Sequence, residues 1–402
     1  MLFPHPIRLK TLKVKMKEET PVECYEKKLS PEEGKRIADA MAYIQSQART
    51  AVGYPTNHHF DYSALYPFLS YSVNNVGDPF ESTNYRLNTM EIEQEVIHFF
   101  AELTKLPEDQ AWGYVTNGGS EGNLYGVFLG RETLPGAMVY YSEDTHYSVG
   151  KAMRLLNVRS MMIRRQENGE FDYEDLRESI RLHRDMPAIV FTTAGTTMTG
   201  AIDNIATIKG ILNEFLIDRY YIHSDAALSG MILPFVEDAP EWNFDHGIDS
   251  ISISGHKFIG APIPCGVVLA KRKNMERIAR MVEYVGALDT TITGSRNGIT
   301  PLFLWYAIKR HGLEGFRNLV KQCHEMADYA IGAMKHIGVA AWRNKHANTV
   351  IFPRPSKEVL DRWQIAVHGD TGHIITMPHV TKELVDRLIS DMRQYPVKEV
   401  QS

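Results

Sequence analysis

Cysteine is scarce in this chain: three in 402 residues, Cys24, Cys265 and Cys323, far apart and without a CxxC spacing. That excludes a disulfide scaffold or a cysteine-based zinc framework and points to free thiols in a reducing cytoplasm. Long apolar runs are missing too. No window approaches the roughly eighteen uninterrupted apolar residues of a membrane span, and the first residues lack the basic-then-apolar order of a signal peptide. Charge of one sign is not concentrated either, since 44 basic residues against 49 acidic ones leave a net charge of −5. No basic block is present that would track a nucleic-acid backbone; the short basic stretch from Lys10 to Lys17 reads as a solvated terminus. The sixteen histidines, His58 and His59 included, show no metal-ligand spacing such as HExxH, so no metal site is expected. Phosphate-loop and dinucleotide fingerprints are absent as well.

What is present is enough apolar residue (44%) for a large core. Residues 1–100 read as an N-terminal helical and irregular segment. Within it, Ser30 caps a helix from Pro31 to about Val52 with a stripe of Ile37, Met41 and Ile44. An aromatic-rich irregular stretch from Gly53 to Asn75 suits the lining of a pocket or a subunit contact. A second amphipathic helix is expected over Glu91–Leu103. Residues 101–297 alternate strands with helices. Ala137–Ser142, Ser160–Ile163, Ala188–Thr193, Arg219–Ser224, Ser250–Ser254 and Val267–Ala270 are strand candidates, and Tyr147–Leu156, Tyr173–Leu182 and Ile205–Phe215 are helical. Such alternation predicts an α/β fold with a largely parallel sheet covered on both faces. Residues 298–402, with strands at Thr349–Phe352 and His373–Met377 and a terminal helix, read as a small α+β domain.

The chemistry concentrates at the ends of those strands. Tyr221-Ile222-His223-Ser224-Asp225-Ala226-Ala227 closes a buried-looking strand on a carboxylate. About thirty residues later, Ser254-Gly255-His256-Lys257 sets one lysine among small residues. This is what a pyridoxal phosphate enzyme needs. The lysine amine condenses with the coenzyme aldehyde, and the carboxylate keeps the pyridine nitrogen protonated so that the ring accepts electrons. Thr116-Asn117-Gly118-Gly119-Ser120-Glu121-Gly122-Asn123 leads from a short strand into a helix over Leu124–Arg131, where backbone N–H groups can meet an anion; an ordinary glycine turn would look the same. His146 follows a strand end and suits stacking on a planar ring, or capping of the helix that follows. Ala194-Gly195-Thr196-Thr197 suits the edge of a flat ligand, or a polar turn. Gly294-Ser295-Arg296-Asn297-Gly298 has hydroxyl and guanidinium donors for a phosphate or a carboxylate, and a surface turn would look the same.

From about Gly53 to Met392 the chain resembles the group II pyridoxal-dependent amino-acid decarboxylases, in the branch that holds bacterial histidine and plant serine decarboxylases. WGYVTNGGSEGN, YYSEDTHYSV, GTTMTGAID, HSDAALSGMILPF, SISGHKFIGAPIPCG and TGSRNG carry the resemblance. It implies the type I pyridoxal-phosphate fold of the aspartate aminotransferase kind, with a seven-stranded, mostly parallel sheet. It also implies a homodimer, or a multiple of one, with active sites at the subunit interface. Lys257 then matches the coenzyme-binding lysine and Asp225 the pyridinium partner. His146 matches the stacked imidazole, Ala227 the small residue under the other ring face, and Thr197 the contact near the phenolic oxygen. Gly119, Ser120, Ser254 and His256 match positions around the phosphate, and Tyr284, on the loop that is mobile in the family, matches the proton donor to Cα.

For the substrate the resemblance divides. Ala226–Phe235, Thr196–Asp203 and Trp342-Arg343-Asn344 are similar to the histidine enzymes. Gly77-Asp78-Pro79-Phe80 with Asn84-Tyr85, and Pro301–Tyr306, are similar to the serine branch. Ile299 stands where both branches usually carry histidine, leaving room for a branched apolar amino acid. Asp78, Pro79, Tyr85 and Ile299 are therefore the substrate candidates, and histidine ranks ahead of serine. Transamination or another reaction of the same coenzyme, a doubly wound nucleotide-binding enzyme, and a non-catalytic homologue are the remaining readings.

Overall fold

The computed structural model describes residues 28–397; the basic stretch Lys10–Lys17 and Cys24 lie outside them. The chain divides into a unit ending at Arg49 and a second unit from Thr50 onward. In the first, helix α1 (Pro31–Ala48) begins with a reciprocal cap. The Ser30 hydroxyl accepts from the Glu33 backbone N–H at 3.2 Å, and the Glu33 carboxylate accepts from the Ser30 N–H at 2.7 Å. The stripe of Ile37, Met41 and Ile44 is exposed, and no residue of this helix is buried.

In the second unit, α2 (Met90–Leu103) buries Val96, Ile97 and Phe100 against the sheet and against the long helical stretch Thr300–His336. That stretch is interrupted at Gly312, whose φ of 58° and ψ of −177° leave the helical region, a conformation glycine adopts without steric cost. The main sheet has seven strands: β1 (Ala111–Thr116), β2 (Met138–Ser142), β3 (Arg159–Ile163), β4 (Ala188–Thr193), β5 (Tyr220–Asp225), β6 (Ser250–Ser254) and β7 (Gly266–Lys271). Their spatial order is β1-β7-β6-β5-β4-β2-β3. Only β7 runs against its neighbours. Every residue of β1, β4 and β6 is buried, which is why these strands read as continuous apolar or small-residue runs and not as alternating ones.

Helix α3 (Gly119–Thr133) packs on β5, β6 and β7. It starts at the double glycine, not at Leu124 as its poor helix formers suggest. Its first turn is tied down by Glu121, whose carboxylate accepts from the Asn117 N–H at 2.9 Å, the Asn117 amide at 2.7 Å and the Tyr114 hydroxyl at 2.9 Å. The aromatic segment after Gly53 is a prop. Asn57 Nδ2 donates to the Phe258 carbonyl at 2.7 Å and the Tyr62 hydroxyl to the Ile259 carbonyl at 2.8 Å, fixing the loop just past Lys257. A three-stranded antiparallel sheet, with Thr371–Ile375 between Thr349–Pro353 and Ala366–His368, completes the C-terminal part.

One expectation is corrected here. Arg296 does not offer its guanidinium to a ligand. It is buried and paired with Glu93, reaches the Gly77 carbonyl at 3.3 Å and lies over the Tyr114 ring. Glu93 also accepts from the Val115 N–H at 2.8 Å and from Asn75 Nδ2 at 2.6 Å. A pair this dry is costly to halve, because the remaining charge has no water to turn to. Arg296→Met is expected to destabilise the protein by about 3–5 kcal/mol, seen as a lower urea unfolding midpoint.

Candidate active site

Parallel strands carry their chemistry to one edge of the sheet, outside their carboxyl ends. β5 ends on Asp225, β6 on Ser254, β4 on Thr193 and β1 on Thr116, while His146 follows the end of β2. The register sets Thr193 beside Asp225 and Asp225 beside Ser252. A cleft of about 240 Å³ opens there, lined by Gly119, Ser120, His146, Thr197, Asp225, Ala227, Ser254, His256 and Lys257, together with Asn123, Tyr147, Thr193 and Gly195. All nine residues carried over as coenzyme contacts thus meet in one cleft.

Each is held by its neighbours. Asp225 is buried, with Oδ1 accepting from the Ala227 N–H at 3.0 Å and Oδ2 from Asn123 Nδ2 at 2.6 Å. Burial lowers the Lys257 ammonium below its ordinary range, opposed by the charge of Asp225. A larger share of neutral amine, the form that attacks a carbonyl, follows. His146 is lowered by burial, with Asp225 opposing and Lys257 and Lys151 adding to the shift, which favours the neutral ring. Its Nδ1 lies 2.8 Å from Ser148 Oγ. His256 Nδ1 donates to the Cys265 carbonyl at 2.8 Å. Gly119 keeps the floor open: a Cβ there would sit 2.9 Å from Ser254 Oγ and 3.3 Å from Ala227 Cβ.

The other candidates stand apart. Tyr284 is 86% exposed and, with Tyr85, lines a separate cavity of about 560 Å³ that shares no lining residue with the Lys257 cleft. Asp78 is buried, its Oδ2 accepting from the Trp112 indole at 2.8 Å and the Thr290 hydroxyl at 2.9 Å. Pro79 is buried and accepts from Gln94 through its carbonyl at 2.7 Å. Ile299 is buried in the apolar core. Sequence reasoning passed over Asn123 and Thr193. Asn123 was hidden because the helix was expected to start one residue after it, at Leu124, and not at Gly119; Thr193 had no signal beyond its place at a strand end.

A family model described as the pyridoxal-dependent decarboxylase conserved domain matches residues 24–338. The chain belongs to the pyridoxal-dependent decarboxylase family. Histidine decarboxylase of Vibrio campbellii is 47% identical over 368 residues, 91% of this chain and 95% of the relative. That of Morganella morganii is 49% identical over 354 residues, 87% of this chain and 94% of the relative. The crystal structure of an L-methionine decarboxylase variant from Streptomyces sp. 590 matches with a TM-score of 0.83 at 26% identity, covering 92% of this chain and 96% of that one. The fold is accordingly the type I pyridoxal-phosphate fold expected from the motifs, and pyridoxal 5'-phosphate is the family's coenzyme.

The cleft suits that coenzyme on its own terms. Thr193 Oγ1 is buried without a hydrogen-bond partner in the cleft wall, and the bare Gly119 backbone and the start of α3 offer room and N–H groups for an anion. Among the described residues no cluster of three or more His, Cys, Asp or Glu is arranged to hold a metal.

His223, at the middle of β5, gives the site an acid limit. Burial pushes its imidazole from 6.5 down to about 3, so the unfolded chain takes up the proton first. Its contribution to stability is present above about pH 6.5 and is lost as pH falls toward 3. Urea unfolding midpoints are expected to drop between about pH 7 and about pH 4, and His223→Gln, which cannot titrate, is expected to flatten that limb.

Proposed function

We propose that the protein converts L-histidine to histamine and carbon dioxide, with pyridoxal 5'-phosphate held in the Lys257 cleft. The observation that carries the substrate is the 47–49% identity to histidine decarboxylases over nearly their whole lengths. The serine alternative drew on the segment around Asp78, whose carboxylate is taken up by Trp112 and Thr290. Room for a branched substrate drew on Ile299, which is occupied in core contacts.

When bound, the coenzyme supplies an aldehyde for the substrate amine and a cationic ring that takes up the electrons left by the departing carbon dioxide. The chain does the rest by orientation and electrostatics. Lys257 presents a partly neutral amine at the cleft floor. Asp225 would pair with the ring nitrogen and favour its protonated form. His146 and Ala227 would bound the two ring faces, Thr197 would meet the ring edge, and Gly119, Ser120, Ser254 and His256 would hold the phosphate. Tyr284 delivers a proton to Cα. Because it lines a different cavity in its own chain, it acts in a homodimer, reaching the cleft of the second copy. Within the second unit we divide a large coenzyme-binding part, residues 101–297 with the seven-stranded sheet, from a small part, residues 298–402 with the three-stranded one; residues 1–100 precede both. Free buried thiols at Cys265 and Cys323 suit a cytoplasmic enzyme.

The test is product analysis of the coenzyme-loaded protein on pooled amino acids. Histamine with one equivalent of carbon dioxide is expected from the wild type and none from Lys257→Ala. Ethanolamine or a branched amine would overturn the substrate, and a keto acid the reaction. Tyr284→Phe is expected to bind L-histidine normally and to lose about 10²–10⁴-fold in turnover.

A further inference from the structure

Behind Asp225 runs a line of three side chains with no part in the chemistry so far. Asn123 Nδ2 donates to Asp225 Oδ2 at 2.6 Å, and its other amide atom, Oδ1, lies 3.0 Å from His223 Nε2. Since the amide oxygen only accepts, Nε2 must carry the hydrogen. His223 Nδ1 is then a bare acceptor, and Ser250 Oγ, 2.7 Å away, donates to it. Every hydrogen bond in the line therefore points the same way, from Ser250 through His223 and Asn123 to Asp225.

The alternative orientation is penalised at its far end. With the hydrogen on Nδ1, the amide would have to turn its oxygen toward Asp225, bringing two acceptors together in a buried place. The fold also makes unusual room for this imidazole. His223 is wholly buried, the Phe191 ring lies 5.1 Å from it, and α3 passes so close that a Cβ at Gly126 would be 2.0 Å from Nδ1. Gly119, Asn123 and Gly126 share one face of α3, so one helix supplies the opening at the cleft, the amide and the clearance for the ring.

We infer that Asn123 and His223, backed by Ser250, are positioning residues that hold the Asp225 carboxylate aimed at the coenzyme ring nitrogen and so set how firmly that nitrogen keeps its proton. This rests on the reading that Asp225 is the ring-nitrogen partner. The other titratable groups felt at this carboxylate are Lys257 and His146, both on the cleft side and both left in place by the variants below.

The experiment follows the ring-nitrogen NMR signal of isotopically labelled pyridoxal phosphate against pH in the loaded protein, together with the coenzyme dissociation constant. Asp225→Asn is the reference and is expected to leave the ring nitrogen unprotonated at neutral pH. Asn123→Ala and His223→Leu are each expected to lower the deprotonation midpoint by about one to two pH units, the equivalent of one charge-assisted hydrogen bond. Each is also expected to weaken coenzyme binding by roughly tenfold or more. The double variant is expected to go no further than either single one, because the contacts act in series. His223→Gln, which keeps an N–H donor, is expected to restore most of the midpoint.

A wild-type midpoint in His223→Leu, beside a shifted one in Asp225→Asn, would overturn the relay and leave His223 as a core residue. A wild-type signal in Asp225→Asn would instead overturn the reading of Asp225. If His223→Leu does not fold, Ser250→Ala, which removes only a hydroxyl, decides the same point. A midpoint moved toward that of Asp225→Asn supports the relay, and an unmoved one sinks it.

Discussion

The cleft exists because β4, β5 and β6 run in parallel and in register, so that Thr193, Asp225 and the end of β6 reach the same edge of the sheet. Parallel strands joined by helices all present their carboxyl ends on one side, and polar residues placed there converge without being adjacent in sequence. A slip of one residue in β5 would turn Asp225 to the other face of the sheet and replace it with Ser224 or Ala226. Asp225 is also tied at both oxygens, by the backbone N–H of Ala227 and by the Asn123 amide, so sheet and helix α3 agree on where it points.

Burial gives these groups their chemical character. Lys257 and His146 are both lowered by desolvation, and both interact with the one acidic group in the cleft. Deeper in the sheet, His223 stays neutral because no water can solvate its charge. Away from the cleft, Glu93 and Arg296 join residues 74–78, α2, β1 and residues 295–297 into one frame, with both Glu93 oxygens taken up by hydrogen bonds. The frame and the cleft are built by different means. One neutralises charge in the dark interior, while the other leaves Thr193 Oγ1 unpaired where a ligand can meet it.

Much of this was legible from residue order alone. Strands Ala188–Thr193 and Ser250–Ser254 and helix Tyr173–Leu182 fall where their patterns put them. Lys257, Asp225 and the glycine-rich turn stand out because few other arrangements call for those residue types at strand ends. Arg296 was misread because a guanidinium in a glycine-flanked turn looks the same whether it faces a ligand or a buried glutamate more than two hundred positions earlier. Asp78 and Ile299 were ambiguous for a related reason: local pattern does not tell which cavity, if any, a side chain reaches. The start of α3 was misplaced because the bonds from Glu121 that hold its first turn outweigh the poor propensity of the glycines.

The sequence by itself determined the alternation of elements, the coenzyme lysine and carboxylate candidates and the family, since these depend on local period, residue chemistry and motif spacing. Tertiary structure alone decided which side chains share a space: that Tyr85 and Tyr284 line a cavity apart from Lys257, that Arg296 answers Glu93, and that Asn123 stands between Asp225 and His223. Such partnerships are contacts across long separations along the chain. They form only when strand register and helix placement bring the groups within hydrogen-bond reach, and no local pattern encodes that distance.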